Sequence, residues 1–144
     1  NEQRQAQIAS TLLQKLMSDN EKIVTCDEQL LEIISAVEKI KMKEYNRTAK
    51  AGGKTGCGNI QEFRSTSSFS LAKSLCKTVV EDVKHFADNQ DVSYSVDDIL
   101  AKIDLADIND CIYYEYCKEN KIDFYSFDAD LNKLGQLGSV HVVR

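Results

Sequence analysis

The residue types best suited to chemistry gather at 47–59, RTAKAGGKTGCGN. Four of the chain's six glycines (Gly52, Gly53, Gly56, Gly58) fall there, and cations lead up to it: Lys39, Lys41, Lys43, Arg47, Lys50 and Lys54, against Glu44 alone. Glycine-rich backbone exposes N–H groups that side chains do not obstruct, so with Lys43, Arg47, Lys50 and Lys54 this stretch has the make-up of an anion cradle. Gly53-Lys54-Thr55 matches only the end of a phosphate-binding GxxxxGK[ST] loop. The first glycine of that pattern would stand where Thr48 is, and a Lys-rich helix precedes the segment instead of a buried strand. Nucleotide hydrolysis of that kind is not expected. The leading reading is a solvated, mobile loop with no ligand, behind a helix whose last turns attract cations through the helix dipole, and the anion cradle is the alternative.

Other groupings are poorer. Asp128, Asp130 and Asn132 suit positions 1, 3 and 5 of a calcium loop, but Lys133 replaces the turn glycine and Ser139 the closing glutamate. The two histidines are His85, read as a partly buried structural residue, and His141, read as an outward strand residue. Asp97-Asp98 suits the N-terminal end of a helix, where the dipole is positive. No catalytic set, cofactor or metal is expected from these residues.

The elements that position these groups are mainly helical. Ile8, Leu12, Leu13, Leu16 and Met17 make a stripe over 3–17. Thr25 with Glu28 has the capping-box pattern and opens a helix that carries Leu30, Ile33, Ile34, Val37 and Ile40 and runs to about Tyr45. Residues 65–68 offer N-caps for the strongest periodic segment, where Ala72, Leu75, Cys76, Val79, Val80, Val83 and Phe86 share a face expected at the centre of the core. Ser95 starts a short helix with Ile99, Leu100 and Ile103 inward. A further helix follows from about Asp107 to Asn120, and β-like runs at 122–127 and 140–143 suggest a hairpin. The expected fold is therefore mostly α: a single compact domain of four to five helices with a small C-terminal β-hairpin, its two halves joined by the 46–59 loop.

Charge is unevenly spread. Residues 1–80 hold 12 bases and 9 acids, whereas 81–130 hold 4 bases and 14 acids. The order helix, helix, strand, strand over 95–143 is similar to that of a winged helix. Its second helix, however, carries Asp107, Asp110, Glu115 and Glu119 against Lys118, which repels DNA. A basic protein surface suits that side better, with Tyr113, Tyr114, Asp107 and Asp110 as contact residues, since tyrosine is enriched at interfaces. The leading expectation is a non-catalytic binding or regulatory module acting through protein–protein contact. Nucleic-acid or anion binding through Lys39–Lys54 is the alternative, and an enzyme of another type is a further one.

No apolar run approaches the length of a membrane span. The chain begins at Asn1, as a processed or trimmed chain does. Cys26, Cys57, Cys76, Cys111 and Cys117 are odd in number and lack CxxC spacing, which favours thiols in a reducing, cytoplasmic setting. Asn46-Arg47-Thr48 is a glycosylation sequon and matters only for a secreted chain. Thiol titration of denatured, unreduced protein is accordingly expected to find all five cysteines reactive. A protected pair, such as Cys111 with Cys117, would move the protein to an oxidising compartment.

Overall fold

The computed structural model describes residues 2–128, 131–135 and 140–142, the side chains of 132, 135 and 140–142 excepted. Its elements run α1 (Glu2–Ser18), β1 (Val24–Thr25), α2 (Asp27–Ala51), α3 (Ile60–Arg64), α4 (Phe69–Phe86), β2 (Asp88–Asn89), α5 (Val96–Leu100), α6 (Ile108–Asn120), β3 (Phe124–Ser126), α7 (Asn132–Gly135) and β4 (Val140–Val142). The fold is mostly helical. Contacts divide the chain into a continuous unit, Lys22–Gln90, and a split unit made of Asn1–Glu21 and Asp91–Arg144.

In the continuous unit α2 packs along α4. Leu30 of α2 and Ala72 and Cys76 of α4 are buried. Ala72 and Cys76 lie one turn apart, and their small side chains let the helices approach: the Cys76 Sγ comes within 3.9 Å of the Ile34 carbonyl oxygen. The deepest residue comes from the short α3. Phe63 is 1% exposed, with ring centroids 5.6 Å from Tyr45 and 5.7 Å from Phe69. The face of α4 is thus only partly a core face. Val79, Val80 and Val83 are half-buried, while Leu75 and Phe86 are exposed.

Local chemistry sets the ends of these elements. Cys26, not Thr25, is the N-cap of α2. Thr25 is buried, and its hydroxyl donates to the Gln29 side chain at 2.7 Å, so the expected capping box does not form. At the other end α2 runs past Tyr45 to Ala51, because nothing in Asn46–Ala51 breaks a helix. The break comes at Gly53, where φ is +72°. There the Lys54 N–H donates to Ala49 O (2.8 Å) and the Gly53 N–H to Lys50 O (3.1 Å), the paired closure that a left-handed residue permits. β1 and β2 pair in parallel, Val24 with Asp88 and Thr25 with Asn89, and tie the two ends of the unit together.

In the split unit α5 and α6 enclose a cluster of Ile99, Cys111 and Ile112, joined by Val92, Ala106 and Tyr113. A second cluster joins Tyr114, Leu131 and Leu134, each 0% exposed, with Leu105, Ala106 and Phe124 around them. The two C-terminal strands do pair, but in parallel, Phe124 with Val140 through Ser126 with Val142. They therefore form no hairpin. A parallel pair needs a crossover, and α7 lies in the connection. The α1 helix is amphipathic without a fully buried residue.

Truncating Phe63 to Ala is expected to cost about 3–5 kcal/mol, because the cavity opens among rings that cannot collapse freely. Lys73→Ala on the exposed side of α4 should change stability by under about 0.5 kcal/mol. Urea unfolding compares the two, and similar costs would remove Phe63 from the centre of the unit.

Candidate functional site

The glycine segment is built, not slack. The side-chain amide of Asn46 donates from Nδ2 to Cys57 O (2.9 Å) and accepts from the Cys57 N–H at Oδ1 (2.7 Å), so it pairs with the loop as a strand would. Gly56 permits this approach, since a Cβ there would stand 2.4 Å from the Asn46 Oδ1. The Gly58 N–H donates to Glu62 Oε2 (2.7 Å), and Asn59 accepts from the Glu62 N–H (2.9 Å) as the N-cap of α3. The backbone N–H groups of Gly52, Gly53, Lys54, Cys57 and Gly58 are therefore all engaged within the chain. These five groups do not line an anion cradle, the alternative reading of the loop. The Asn46 amide, the point of attachment in the sequon, is held in the same contact.

The cations are better placed than the loop. Lys43, Arg47 and Lys50 lie on α2 at four- and three-residue steps, with Lys39 one turn before them, and all four are exposed. This spacing puts them on one stripe about 16 Å long. Ile40 beside them is 55% exposed. Lys54 follows past the helix end and is exposed as well. Lys41, off this stripe, pairs with Glu44 at 2.9 Å.

Beneath the stripe Glu38 carries a buried carboxylate, 4% exposed, gripped by Arg64 of α3 at 2.6 and 2.8 Å. The paired hydrogen bonds to Arg64 hold the Glu38 carboxyl below the usual glutamate range against the opposing effect of burial. Burial raises the thiols of Cys26 and Cys76 in the same unit and of Cys111 in the split unit.

In the split unit the four residues expected to meet a partner are scattered by depth. Asp107 is exposed and Asp110 half-buried. Tyr113 is half-buried, edge-on to Phe124 at 6.1 Å. Tyr114 is wholly buried, so it cannot contact a partner; one residue along a helix turns a side chain by about 100°, and that turn takes Tyr114 into the core. Residues not expected at a surface stand there instead. Leu100 (57%) and Ile103 (47%) are exposed rather than inward, joined by Val96 (66%) and Ile108 (61%). Val96, Leu100 and Ile103 recur at i, i+4 and i+7, one face of a helix-like path, while Ile99 alone turns in. That spacing is legible in the sequence, but apolar character alone does not tell the inward face from the outward one. Asp97, Asp98, Asp104 and Asp107, all exposed, surround this strip in sequence.

An ion cluster fixes the strip's backing. Glu115 of α6 takes Lys102 at 2.5 Å and Lys118 at 3.2 Å. Burial acts to raise the Glu115 carboxyl, but the two ammonium groups outweigh it and the net shift is downward. The hydrogen bond to Glu115 raises Lys102 in turn. The Cys111 thiol lies 3.4 Å from Lys102 O and 3.5 Å from Ala106 O, at the same corner. Elsewhere in this unit a groove of about 620 Å³ lies between α1 and Tyr125, floored by Ile8 and Leu12 and bounded by Arg4 and Lys15.

Among the described residues no group of three or more His, Cys, Asp or Glu side chains is placed to hold a metal ion. Asp130 and Ser139 of the calcium-like pattern, and the side chains of Asn132 and His141, lie outside the described residues. His85 is exposed, not partly buried, with Nδ1 2.9 Å from Glu81 O of its own helix. The five cysteines stand as thiols. Among the described residues no helix is long and apolar enough to cross a membrane. No family model matches the chain, and no curated protein or solved structure matches it either.

Because Glu38 and Glu115 both have lowered carboxyl pKa values in the folded protein, their contribution to stability is complete above the ordinary glutamate value of about 4.3 and is lost as the pH falls through and below it. Urea midpoints should therefore drop on acidification from about pH 5 to pH 3. Glu38→Gln should lower the midpoint at neutral pH and flatten that acid limb, since it removes one of the two titrating groups. An unchanged acid limb would deny Glu38 this role.

Proposed function

We propose that the protein is a non-catalytic, regulatory binding module, cytoplasmic in setting, which docks a partner protein on the outward side of α5 and the turn that follows it. The observation that supports this reading is the strip of Val96, Leu100 and Ile103, apolar and exposed, among the exposed Asp97, Asp98, Asp104 and Asp107. An apolar centre with a charged rim is the composition of a contact surface: the centre supplies affinity and the rim selects sign and speeds encounter. The rim is acidic, so the partner presents a basic amphipathic helix. Asp107 keeps its place in this surface and Asp110 lies at its edge, whereas Tyr113 and Tyr114 serve the core behind it.

A second reading, binding of nucleic acid or another polyanion, rests on the α2 stripe of Lys39, Lys43, Arg47 and Lys50, with Lys54 beyond it. It ranks lower because the N–H groups of Gly52, Gly53, Lys54, Cys57 and Gly58 are engaged and no aromatic residue between Arg47 and Asn59 offers a base a stacking platform.

Titration with a synthetic Leu/Lys amphipathic helix, followed by backbone NMR shifts, tests the leading reading. Shifts are expected to centre on Val96, Leu100, Ile103 and Ile108. Leu100→Lys with Ile103→Lys should weaken binding at least about tenfold, roughly 1.4 kcal/mol. Those exposed changes should move stability by under about 0.5 kcal/mol each. Binding that survives the double variant, or shifts confined to other elements, would refute this surface.

A further inference from the structure

We infer that the partner docked on the α5 face is a second copy of this chain, which presents the basic stripe of its α2. This inference rests on the reading of the α5 face as a docking surface and names its occupant.

The two surfaces are matched in chemistry. On α2, Lys39, Lys43, Arg47 and Lys50 are exposed, and among the described residues none of them forms an ion pair. Ile40 gives that stripe an apolar edge, 55% exposed, between Lys39 and Lys43. On the α5 side, Asp97, Asp98, Asp104 and Asp107 are exposed and form no ion pair among the described residues, although the Lys102 charge acts on Asp98. The apolar element there is Val96, Leu100 and Ile103. Each surface thus combines one sign of charge with exposed aliphatic side chains, and the signs are opposite.

Both surfaces are also held rigidly. The stripe lies on a continuous 25-residue helix. Its C-terminus is closed at Gly53, and its outer half is anchored by Asn46 to the loop and by Glu38 to Arg64. The α5 face is backed by Ile99 in the buried cluster and by the Lys102–Glu115–Lys118 ion cluster. Preorganised surfaces lose little conformational freedom on contact, so modest complementarity is enough to show as binding. Because the two surfaces differ, the contact is heterologous: each copy offers one of each, and head-to-tail association gives a ring where the rotation closes and an open chain where it does not. Attraction between opposed rows of exposed charge acts over about a Debye length, roughly 8 Å at physiological ionic strength, and salt screens it.

Sedimentation of the full chain from micromolar to near-millimolar concentration, at about 0.05 M and about 0.5 M salt, tests the inference. The average mass is expected to rise with concentration, with an affinity at least tenfold weaker at high salt. Two variants locate the contact: Lys43→Gln with Arg47→Gln and Lys50→Gln removes the stripe, and Asp97→Asn with Asp98→Asn and Asp104→Asn removes the acidic rim. Each variant alone should remain monomeric. Their equimolar mixture should form a dimer and stop there, since only one intact stripe and one intact rim are available per pair. Circular dichroism and urea midpoints matching the parent protein show that each variant folds.

A chain that stays monomeric throughout overturns the inference, as does association that survives both variants. Release of a duplex oligonucleotide by the stripe variant, in a chain that does not self-associate, assigns the stripe to a polyanion and overturns it too. If the chain is monomeric while the Leu/Lys helix still binds at Leu100 and Ile103, the second copy is excluded and the docking surface stands. If that helix fails as well, the docking surface falls with it.

Discussion

The continuous unit depends on one carboxylate. Glu38 sits on the inward side of α2 with 4% of its side chain exposed, where an unpaired charge would be untenable. Its partner comes from outside α2: Arg64 at the end of α3. Once Arg64 is there, α3 lies against α2, and Phe63 next to it enters the space between Tyr45 and Phe69. The segment that joins α2 to α3 must then reverse within a short span. The left-handed Gly53, the Gly56 contact with Asn46 and the Asn59 cap are the devices that let it do so. What reads in sequence as a solvated, glycine-rich loop is, in the fold, the turn that delivers an arginine to a buried glutamate.

The split unit solves a comparable problem with the composition reversed. Glu115 lies 11% exposed between two lysines, one from the turn after α5 and one from its own helix. Lys102 cannot be released without leaving that carboxylate half-neutralised in a poorly hydrated place, so the turn after α5 is held to α6. Ile99 and Cys111 pack beneath the same corner. Rigidity here comes from the inside, which leaves Val96, Leu100 and Ile103 outside with no part in the core.

How much of this was legible follows from the range of each interaction. The helical stripes of α1, α2, α4, α5 and α6 are local patterns and could be read directly. The short α3 could not, because Ile60 and Phe63 are too few positions to show a period, yet Phe63 is the most buried ring of its unit. The extension of α2 to Ala51 was hidden by Asn46-Arg47-Thr48, which looks like loop but meets no helix breaker before the glycines. Parallel pairing of β3 with β4 depends on a crossover and not on the strands' own residues, so alternation alone suggested a hairpin. Of the partner residues inferred on α6, Asp107 reached the surface, while Tyr114 was lost to the core because a single step along the helix separates its direction from that of Tyr113. Leu100 and Ile103 depart from the expected inward direction because Ile99 takes the inward position of this short element.

The separation of charge on the surface is a consequence of the pairing inside. In the continuous unit the acids near the outer half of α2 are Glu38 and Glu44. The first is drawn inward to Arg64 and the second takes Lys41, so Lys39, Lys43, Arg47 and Lys50 are left without a neighbouring counter-charge on their stripe. Between Asp91 and Asn120 the only bases are Lys102 and Lys118, and Glu115 holds both. The acids of α5 and of the turn after it face outward, and Lys102, whose charge reaches Asp98, is itself held by Glu115. The contacts that make each unit rigid are the same ones that strip its outer face of opposite charge. Two surfaces of opposite sign on one chain then need no separate origin: they are the remainder left once each fold has satisfied its buried carboxylate. The same dependence makes the surfaces sensitive to changes beneath them. Loss of the Glu115 charge would free Lys102, whose ammonium already acts on Asp98, to neutralise the α5 acids and weaken their field.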